Sequence, residues 1–139
     1  MREILFRAKE VEKGKWVEGG VLCCKNGDQD TTWIVKLHQG WPMIIEVRPE
    51  TLCQYTGLTD KNGKKIWEND IVKYHFGEDT AVIRYGKYQS CFDSNKAAHV
   101  GFFVDWKKGF LRKDLGYWVE MIDCNVVGNV FDNADLFEE

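Results

Sequence analysis

The apolar positions of this chain fall in short runs that alternate with polar positions and end at glycine, asparagine or aspartate. Runs of this kind that are rich in valine, isoleucine and aromatic residues are typical of β-strands. They predict strands at residues 4–8, 16–23, 32–37, 43–47, 64–67, 71–76, 80–85, 100–106, 117–122 and 126–131. Since no segment has the i, i+3, i+4, i+7 spacing of a long helix, the pattern predicts an all-β fold.

Glycine and asparagine mark the reversals between these runs. Asn62-Gly63, between two extended runs, is the strongest short signal for a β-hairpin, because both residue types accept positive φ. Gly19-Gly20 within a strand indicates a bulge or a close approach of two backbones. Asn133 is suited to cap a short terminal turn over residues 134–136.

A change in the pattern near residue 50 divides the chain. Pro49 closes the first section, because proline cannot donate a hydrogen bond to a ladder. The sequence predicts a small N-terminal β region at residues 1–50 and a second β region at residues 51–139. Residues 89–99 show no clear period and are predicted to form a long loop. With 139 residues in all, the two regions fit either a single shared core or a domain with an appended module.

Composition and charge restrict the function classes. The formal net charge of -3, from 19 basic and 22 acidic side chains, provides no global field for a polyanion, so nucleic-acid binding would need a local patch. The first residues form no apolar signal-peptide core, and no apolar run approaches the ~20 residues of a membrane span. We expect a cytoplasmic protein without membrane contact.

The five cysteines form an odd set without C-x-x-C spacing: Cys23, Cys24, Cys53, Cys91 and Cys124. Adjacent residues of a strand point to opposite faces, so Cys23 and Cys24 are poorly placed to bind one metal ion. We expect thiols of a reducing compartment, and no metal or other cofactor.

Three separated blocks of sequence resemble one family. The blocks are residues 6–9 and 14–17 (FRAK, GKWV), residues 54–66 and 70–72 (QYTGLTDKNGKKI, DIV), and residues 127–131 (VGNVF). Together they resemble the YopX-like proteins, small proteins of bacteriophages and prophages. The resemblance implies a mostly β protein whose later part is an SH3-like small barrel, of unassigned function and expected to form a homo-oligomer. It carries over no catalytic or binding residues.

Two positions depart from the family pattern. Asn69 stands where glycine is expected, but asparagine also tolerates the left-handed conformation. Glu18 stands where an aromatic residue is common, so a contact made there by other members does not transfer to this chain.

Acidic residues and histidines are the first candidates for chemistry. Glu68 and Asp70, with Asp60 nearby in sequence, could form a metal or acid–base cluster. Turn chemistry explains them as well, with Asp70 accepting backbone N–H groups at the start of a strand. The histidines, which are far apart and lack partners at ligand spacing, are His38, His75 and His99. Since no catalytic constellation emerges, we expect a protein that is not an enzyme, and a metal-dependent hydrolase is only the third hypothesis.

A basic and aromatic stretch near the C-terminal third is the candidate nucleic-acid contact. Its residues are Trp106, Lys107, Lys108, Phe110, Arg112 and Lys113. Cations could follow a phosphate backbone while rings stack on bases. The alternative is a solvated turn whose lysines keep a sheet edge from pairing.

The six tryptophans are too many for a chain of this size to bury completely. Trp41-Pro42, expected in a loop beside Gly40, is the first candidate for a subunit contact. The leading hypothesis is therefore a non-enzymatic phage or prophage accessory protein that self-associates and contacts an unidentified phage or host protein. The alternative is an SH3-like module that binds nucleic acid through the stretch at residues 106–113.

Overall fold

The computed structural model describes residues 2–74, 79–89, 94, 98–107 and 112–137, without the side chain of Phe137. The described strands are β1 (Phe6–Lys9), β2 (Trp16–Asn26), β3 (Gln29–His38), β4 (Trp41–Val47), β5 (Cys53–Thr59), β6 (Lys65–Trp67), β7 (Asp70–Lys73), β8 (Thr80–Tyr88), β9 (His99–Trp106) and β10 (Asn125–Asn129). The helices are α1 (Leu115–Glu120), α2 (Ala134–Phe137) and a 3₁₀ turn at Pro49–Thr51. The predicted all-β class is confirmed.

The chain forms two compact units, Met1–Tyr55 and Thr56–Glu139. The division that the sequence predicts after residue 50 falls five residues before the end of the first unit. Strand β5 crosses the division. Its first residues, Cys53 and Gln54, pair with β1, and β6 lies beside β5 in the sheet.

In the first unit, β1 to β4 form a run of antiparallel neighbours in which β4 turns back to β1. Glu10 pairs with Val47, and the Arg48 N–H donates to the Lys9 carbonyl over 2.8 Å. The Thr51 hydroxyl donates to the Arg48 carbonyl over 2.7 Å and accepts from the Lys9 N–H over 2.9 Å. These bonds enclose a small core of buried apolar side chains: Ala8, Val17, Ile34 and Val47.

The close backbone approach predicted at Gly19-Gly20 is confirmed at the first of these residues. A Cβ atom at Gly19 would lie 2.3 Å from the Val35 carbonyl oxygen, whereas one at Gly20 would lie 3.9 Å from it. The ladder between β2 and β3 begins at the Gly20–Val35 pair, and β1 pairs with β2 up to Gly19. Gly19 therefore lies where β2 stops pairing with β1 and begins to pair with β3.

The second unit contains a four-stranded antiparallel sheet in the order β10-β7-β8-β9. Its buried core includes Ile66, Val72, Ala81, Ile83, Val104, Trp106, Leu115, Trp118 and Cys124. In the described strands this order is open, with β10 and β9 at its edges, so they do not close the expected barrel. The SH3-like character of the later part stays a prediction.

The hairpin predicted at Asn62-Gly63 is present between β5 and β6, but its geometry differs from the simplest expectation. Gly63 has a φ of 79°, whereas Asn62 is not among the residues with positive φ. The Gly63 N–H donates to the Asp60 carbonyl, and the Asp60 N–H donates to the Lys64 carbonyl. Glycine alone supplies the left-handed residue of this turn.

The strand predicted at residues 117–122 is wrong, because this segment belongs to helix α1. Leu115 and Trp118 are both buried, and their i, i+3 spacing places them on one helical face. The aromatic and β-branched residues of the segment favour a strand locally, but packing against the core outweighs that weak preference.

Two further boundaries differ from the sequence prediction. Strand β5 is missing from the predicted set, because Gly57, with a φ of 89°, interrupts its extended pattern. Strand β9 begins at His99, inside the predicted loop at residues 89–99. Much of that predicted loop lies outside the described residues, as do His75 and Phe76 of the strand predicted at residues 71–76.

Substitution of Gly19, compared with that of Gly20, should distinguish the effect of the close backbone approach from the effect of strand propensity. We expect Gly19→Ala to lower the free energy of unfolding by about 1–3 kcal/mol, because the new methyl group would overlap the Val35 carbonyl. Gly20→Ala, the matched control, should change it by no more than about 0.5 kcal/mol. Urea unfolding followed by circular dichroism measures both. Equal effects of the two substitutions would contradict this role of Gly19.

Candidate functional site

Residues 36–43, named here the β3–β4 arm, form a two-stranded ribbon. Lys36 pairs with Met43, Leu37 with Pro42 and His38 with Trp41. Gln39 and Gly40 have φ values of 51° and 83°, the left-handed pair required by the tightest hairpin turn. The expectation that Trp41-Pro42 lies in a loop is wrong, because the tight turn lets β4 begin at Trp41.

Large apolar side chains are exposed on and beside this arm. Leu37 and Trp41 are each 75% exposed, Ile44 is 58% exposed and Met43 is also exposed. Isolated exposed apolar residues are ordinary, but a group of them on one element is typical of an interaction surface. In this ladder, Leu37, Pro42 and Ile44 lie on one face and Trp41 and Met43 lie on the other, so the candidate subunit contact at Trp41 and Pro42 belongs to an arm that is apolar on both faces.

The outer edge of β4 offers little for the addition of another strand. In an antiparallel ladder, alternate residues turn their backbone groups away from the partner strand. At the end of β4, the Glu46 carbonyl accepts from Val11, and the Arg48 N–H donates to Lys9. Pro42, in the same alternate set, has no N–H to donate. Contacts at this edge must therefore come mainly from side chains.

A cleft of about 390 Å³ lies beside the arm in the first unit. It is lined by Glu10, Val11, Glu12, Trp33, Ile44, Ile45 and Glu46, and it is named here the acid-rimmed cleft. Its apolar lining includes Val11 and Ile44, which are both exposed. Among the described residues, no group of three histidine, cysteine, aspartate or glutamate side chains could hold a metal ion. The cleft therefore combines apolar surface with negative charge.

The first family block places two cations over one ring. The Arg7 guanidinium lies 4.5 Å from the centre of the Trp16 ring, and the Lys9 ammonium lies 5.4 Å from it. Lys9 and Trp16 are directly paired between β1 and β2. Cation–π attraction of this kind stabilises the pairing of the two strands. Glu18, the departure from the family pattern, pairs with Arg7 in the same ladder.

Hydrogen bonds join the region of the middle family block to the region of the last block. One Asp60 carboxylate oxygen accepts from the N–H groups of Asn62 and Lys64, and the other accepts from the Val126 N–H over 3.0 Å. The Val130 N–H donates to the carbonyl of Asn69, whose φ of 70° confirms that this asparagine adopts the left-handed conformation. These blocks therefore hold the second unit together.

The turn interpretation of Asp70 is confirmed. Its carboxylate accepts from the Trp67 N–H over 2.8 Å where β7 begins, and the residue is only 2% exposed. The Asp60 carboxylate is similarly occupied by backbone donors. Neither group is placed to exchange protons with a substrate, since both are buried and serve the backbone.

The last block is organised around Asn129. Its side-chain oxygen accepts from the N–H groups of Phe131 and Asp132, and its own N–H donates to the Asn133 side chain. A Cβ atom at Gly128 would lie 2.5 Å from that Asn133 oxygen. Asn133 thus fixes the turn before α2, and its contact requires glycine at position 128.

The residues of the candidate nucleic-acid stretch differ in their exposure and in their contacts. Trp106 is only 4% exposed, and its indole N–H donates to the Arg112 carbonyl. The Arg112 side chain donates to Asp114 over 2.7 Å and lies 4.5 Å from the Tyr117 ring centre. Lys107 and Lys113 are described, whereas Lys108 and Phe110 lie outside the described residues. The buried ring of Trp106 cannot stack on a base in this arrangement, and the nucleic-acid contact stays a prediction.

The histidines and thiols are not brought together within the described residues. His38 is exposed on the β3–β4 arm, and His99 lies 5.2 Å from the Tyr88 ring. His75 and Cys91 lie outside the described residues. Burial, with a smaller contribution from the Asp60 charge, raises the pKa of Cys124 from 9.0 to about 11. The Cys124 thiol is therefore neutral at ordinary pH and a poor nucleophile.

The sequence prediction missed the cleft and most of the apolar surface. The run from Trp41 to Ile45 is apolar at every position, and this loss of alternation could have indicated a strand with two apolar faces. No local signal links Glu10 and Glu12 to Glu46, because only the return of β4 to β1 brings them together.

Asp60→Asn should destabilise the protein through hydrogen bonds that all lie in the second unit. An amide nitrogen would face a backbone N–H that now donates to carboxylate oxygen. We expect a loss of about 1.5–3 kcal/mol in the free energy of unfolding. Asp123→Asn is the matched control, since Asp123 is exposed and has a φ of 57° that asparagine accepts. An unchanged denaturation midpoint for Asp60→Asn would contradict the role of this carboxylate.

Cys124 should resist alkylation in the native protein. At pH 8, iodoacetamide should modify the exposed Cys23 and leave Cys124 unmodified until urea unfolds the chain, as peptide mass spectrometry would show. Because folding raises this pKa, the thiol's contribution to stability is complete below pH 9 and is lost as pH rises towards about 11. Equal native labelling of both cysteines would contradict the burial of Cys124.

Comparison with known proteins supports this architecture. The crystal structure of protein EF1440 from Enterococcus faecalis resembles the chain with a TM-score of 0.53 and 21% sequence identity, covering 99% of this chain and 100% of that chain. At this identity the likeness concerns the fold alone. No curated protein matches the chain. The family model described as YopX protein matches residues 5–138, which confirms the resemblance of the three blocks: the chain belongs to the YopX protein family.

Proposed function

We propose that the protein is a non-enzymatic accessory protein of a phage or prophage. It acts in the host cytoplasm through protein contacts and as a homo-oligomer, with an unidentified phage or host protein as a further partner. The observation that carries this proposal is the exposed apolar surface of the β3–β4 arm and the adjacent Ile44.

The exposed side chains of the arm are large enough for their burial to stabilise a complex. Removing apolar surface from water is favourable by about 25 cal/mol per Å². Trp41 and Leu37 are each three quarters exposed, so most of this gain is still available to a partner. Tryptophan is also enriched among the residues that dominate interface energies. The arm is therefore well suited to form the centre of an interface.

The role of the buried carboxylates supports a non-enzymatic protein. Asp60 and Asp70, the acidic residues with the clearest sequence signal, accept backbone N–H groups and stabilise turns. The carboxylates of Asp60 and Asp70 thus serve to satisfy backbone donors of the fold. Large exposed side chains such as Trp41 and Leu37 are instead apolar, and they bind without a reaction.

The nucleic-acid alternative has less structural support than self-association. Of its two aromatic residues, Trp106 is packed against Tyr74 and Trp118, at centre distances of 5.5 and 4.6 Å. Arg112 is paired with Asp114. A phosphate-binding role would depend on the lysines of the stretch, and such binding should weaken steeply with salt.

Replacement of Trp41 tests the proposed function. We expect Trp41→Ser to weaken self-association at least about tenfold without loss of folding, because the side chain is exposed and contributes little to the core. Size-exclusion chromatography with light scattering, over a range of protein concentrations, measures the oligomeric state. Val100→Ser, at a strand residue that is 72% exposed in the second unit, is the matched control and should change nothing.

Two results would count against the proposal. A wild-type protein that stays monomeric throughout the concentration range would contradict self-association. Equal weakening by Trp41→Ser and Val100→Ser would show that the effect does not belong to the arm.

A further inference from the structure

We propose that two copies associate by placing the Trp41 side chain of each β3–β4 arm in the acid-rimmed cleft of the other copy. This inference rests on the proposed homo-oligomer and identifies the contact by which it forms. The occupant of the cleft is thus a second copy of this chain.

The apolar surfaces of the arm and the cleft match each other in character. The arm exposes Leu37 and Trp41, and the cleft exposes Val11 and Ile44 beside Trp33. Both surfaces lie in the first unit, and both gain by removal from water. Contact between the arm and the cleft would bury apolar side chains that stay exposed among the described residues of a single copy.

The charges of the two surfaces are complementary. The arm contains Lys36 and His38 and has no carboxylate between residues 36 and 43. The cleft has three carboxylates, from Glu10, Glu12 and Glu46. One cation borders it, since the Arg48 guanidinium donates to the Val11 carbonyl over 3.1 Å. The excess of negative charge still favours an arm that brings positive charge, and it disfavours contact between two clefts.

Both surfaces include residues of β4, with Trp41 at one end of the strand and Glu46 near the other. Trp41 and Glu46 are five residues apart on one extended strand, a separation of about 17 Å at ~3.3 Å per residue. The rigid strand between them holds Trp41 away from the cleft that Glu46 lines.

The same arrangement predicts a closed dimer. Contacts related by a two-fold axis are reciprocal and leave no unsatisfied arm or cleft. Pro42 limits backbone pairing across the axis, so side chains provide the contact.

Charge reversal tests the inference in three variants. The cleft variant is Glu12→Lys with Glu46→Lys, the arm variant is Lys36→Glu with His38→Glu, and the third combines all four substitutions. We expect each of the first two to raise the dimer Kd about tenfold or more, through like-charge contacts. The combined variant should return to within about threefold of wild type, because attraction is restored with opposite signs.

The control and the readouts keep the test independent of folding. Asp28→Lys with Glu120→Lys makes the same change in net charge as the cleft variant, at exposed positions outside both surfaces, and should leave the Kd unchanged. Sedimentation velocity gives the Kd, and circular dichroism checks each variant. If the cleft variant does not fold, Ile44→Glu, at a 58% exposed position, provides a second cleft variant with the same expected weakening.

The outcomes separate this inference from the proposed function. If wild type dimerises and Trp41→Ser weakens the dimer while the cleft variants do not, the arm binds elsewhere, and the inference is overturned while self-association stands. Failure of the combined variant to recover would also overturn it. If wild type is monomeric, the inference and the proposed homo-oligomer fail together.

Discussion

The hydrogen bonds that return the end of β4 to the residues after β1 determine the arrangement of the first unit. The Arg48 N–H donates to Lys9, the Val11 N–H donates to Glu46, and Thr51 bonds to both strands through its hydroxyl. Together they occupy the backbone groups at one end of β4. They also place Glu10 and Glu12 beside Glu46. The other end of the same strand extends into the β3–β4 arm, so one constraint forms the cleft and leaves the arm exposed.

The residues that carry the family resemblance work within the fold. Asp60 connects the β5–β6 hairpin to β10, and Asn129 holds the turn before α2. Asn69, which departs from the family pattern, accepts the Val130 N–H of the last block. In each case a short polar side chain or a left-handed residue satisfies backbone groups that would otherwise be buried without a partner. Family membership therefore identifies the architecture of this chain. The exposed apolar residues on which the proposed contacts depend, such as Trp41 and Leu37, lie outside those blocks.

Local chemistry explains which parts of the fold the sequence predicts well. The turn at Asn62-Gly63, the close approach at Gly19 and the left-handed Asn69 follow from the conformational limits of single residues. Helix α1 does not follow from such limits, because it forms where Trp118 packs into a core that includes residues of β7, β8 and β9. The cleft could not be predicted either, since Glu12 and Glu46 are separated by 34 positions along the chain. The sequence proposes Trp41 as a contact residue from its size and its expected loop beside Gly40, and it does not predict that Trp41 begins a strand.

The placement of Pro42 has a consequence for the behaviour of this protein at high concentration. An edge strand with apolar residues on both faces is a template on which further chains can stack into fibrils. Here proline removes one donor, and Lys9 and Val11 occupy the groups at the far end, which leaves Ile44 as the one complete residue of the outward set. A growing cross-β ribbon needs an unbroken row of such residues. The outer edge of β4 can thus carry a tryptophan-bearing arm without offering an unbroken row of backbone groups to a fibril.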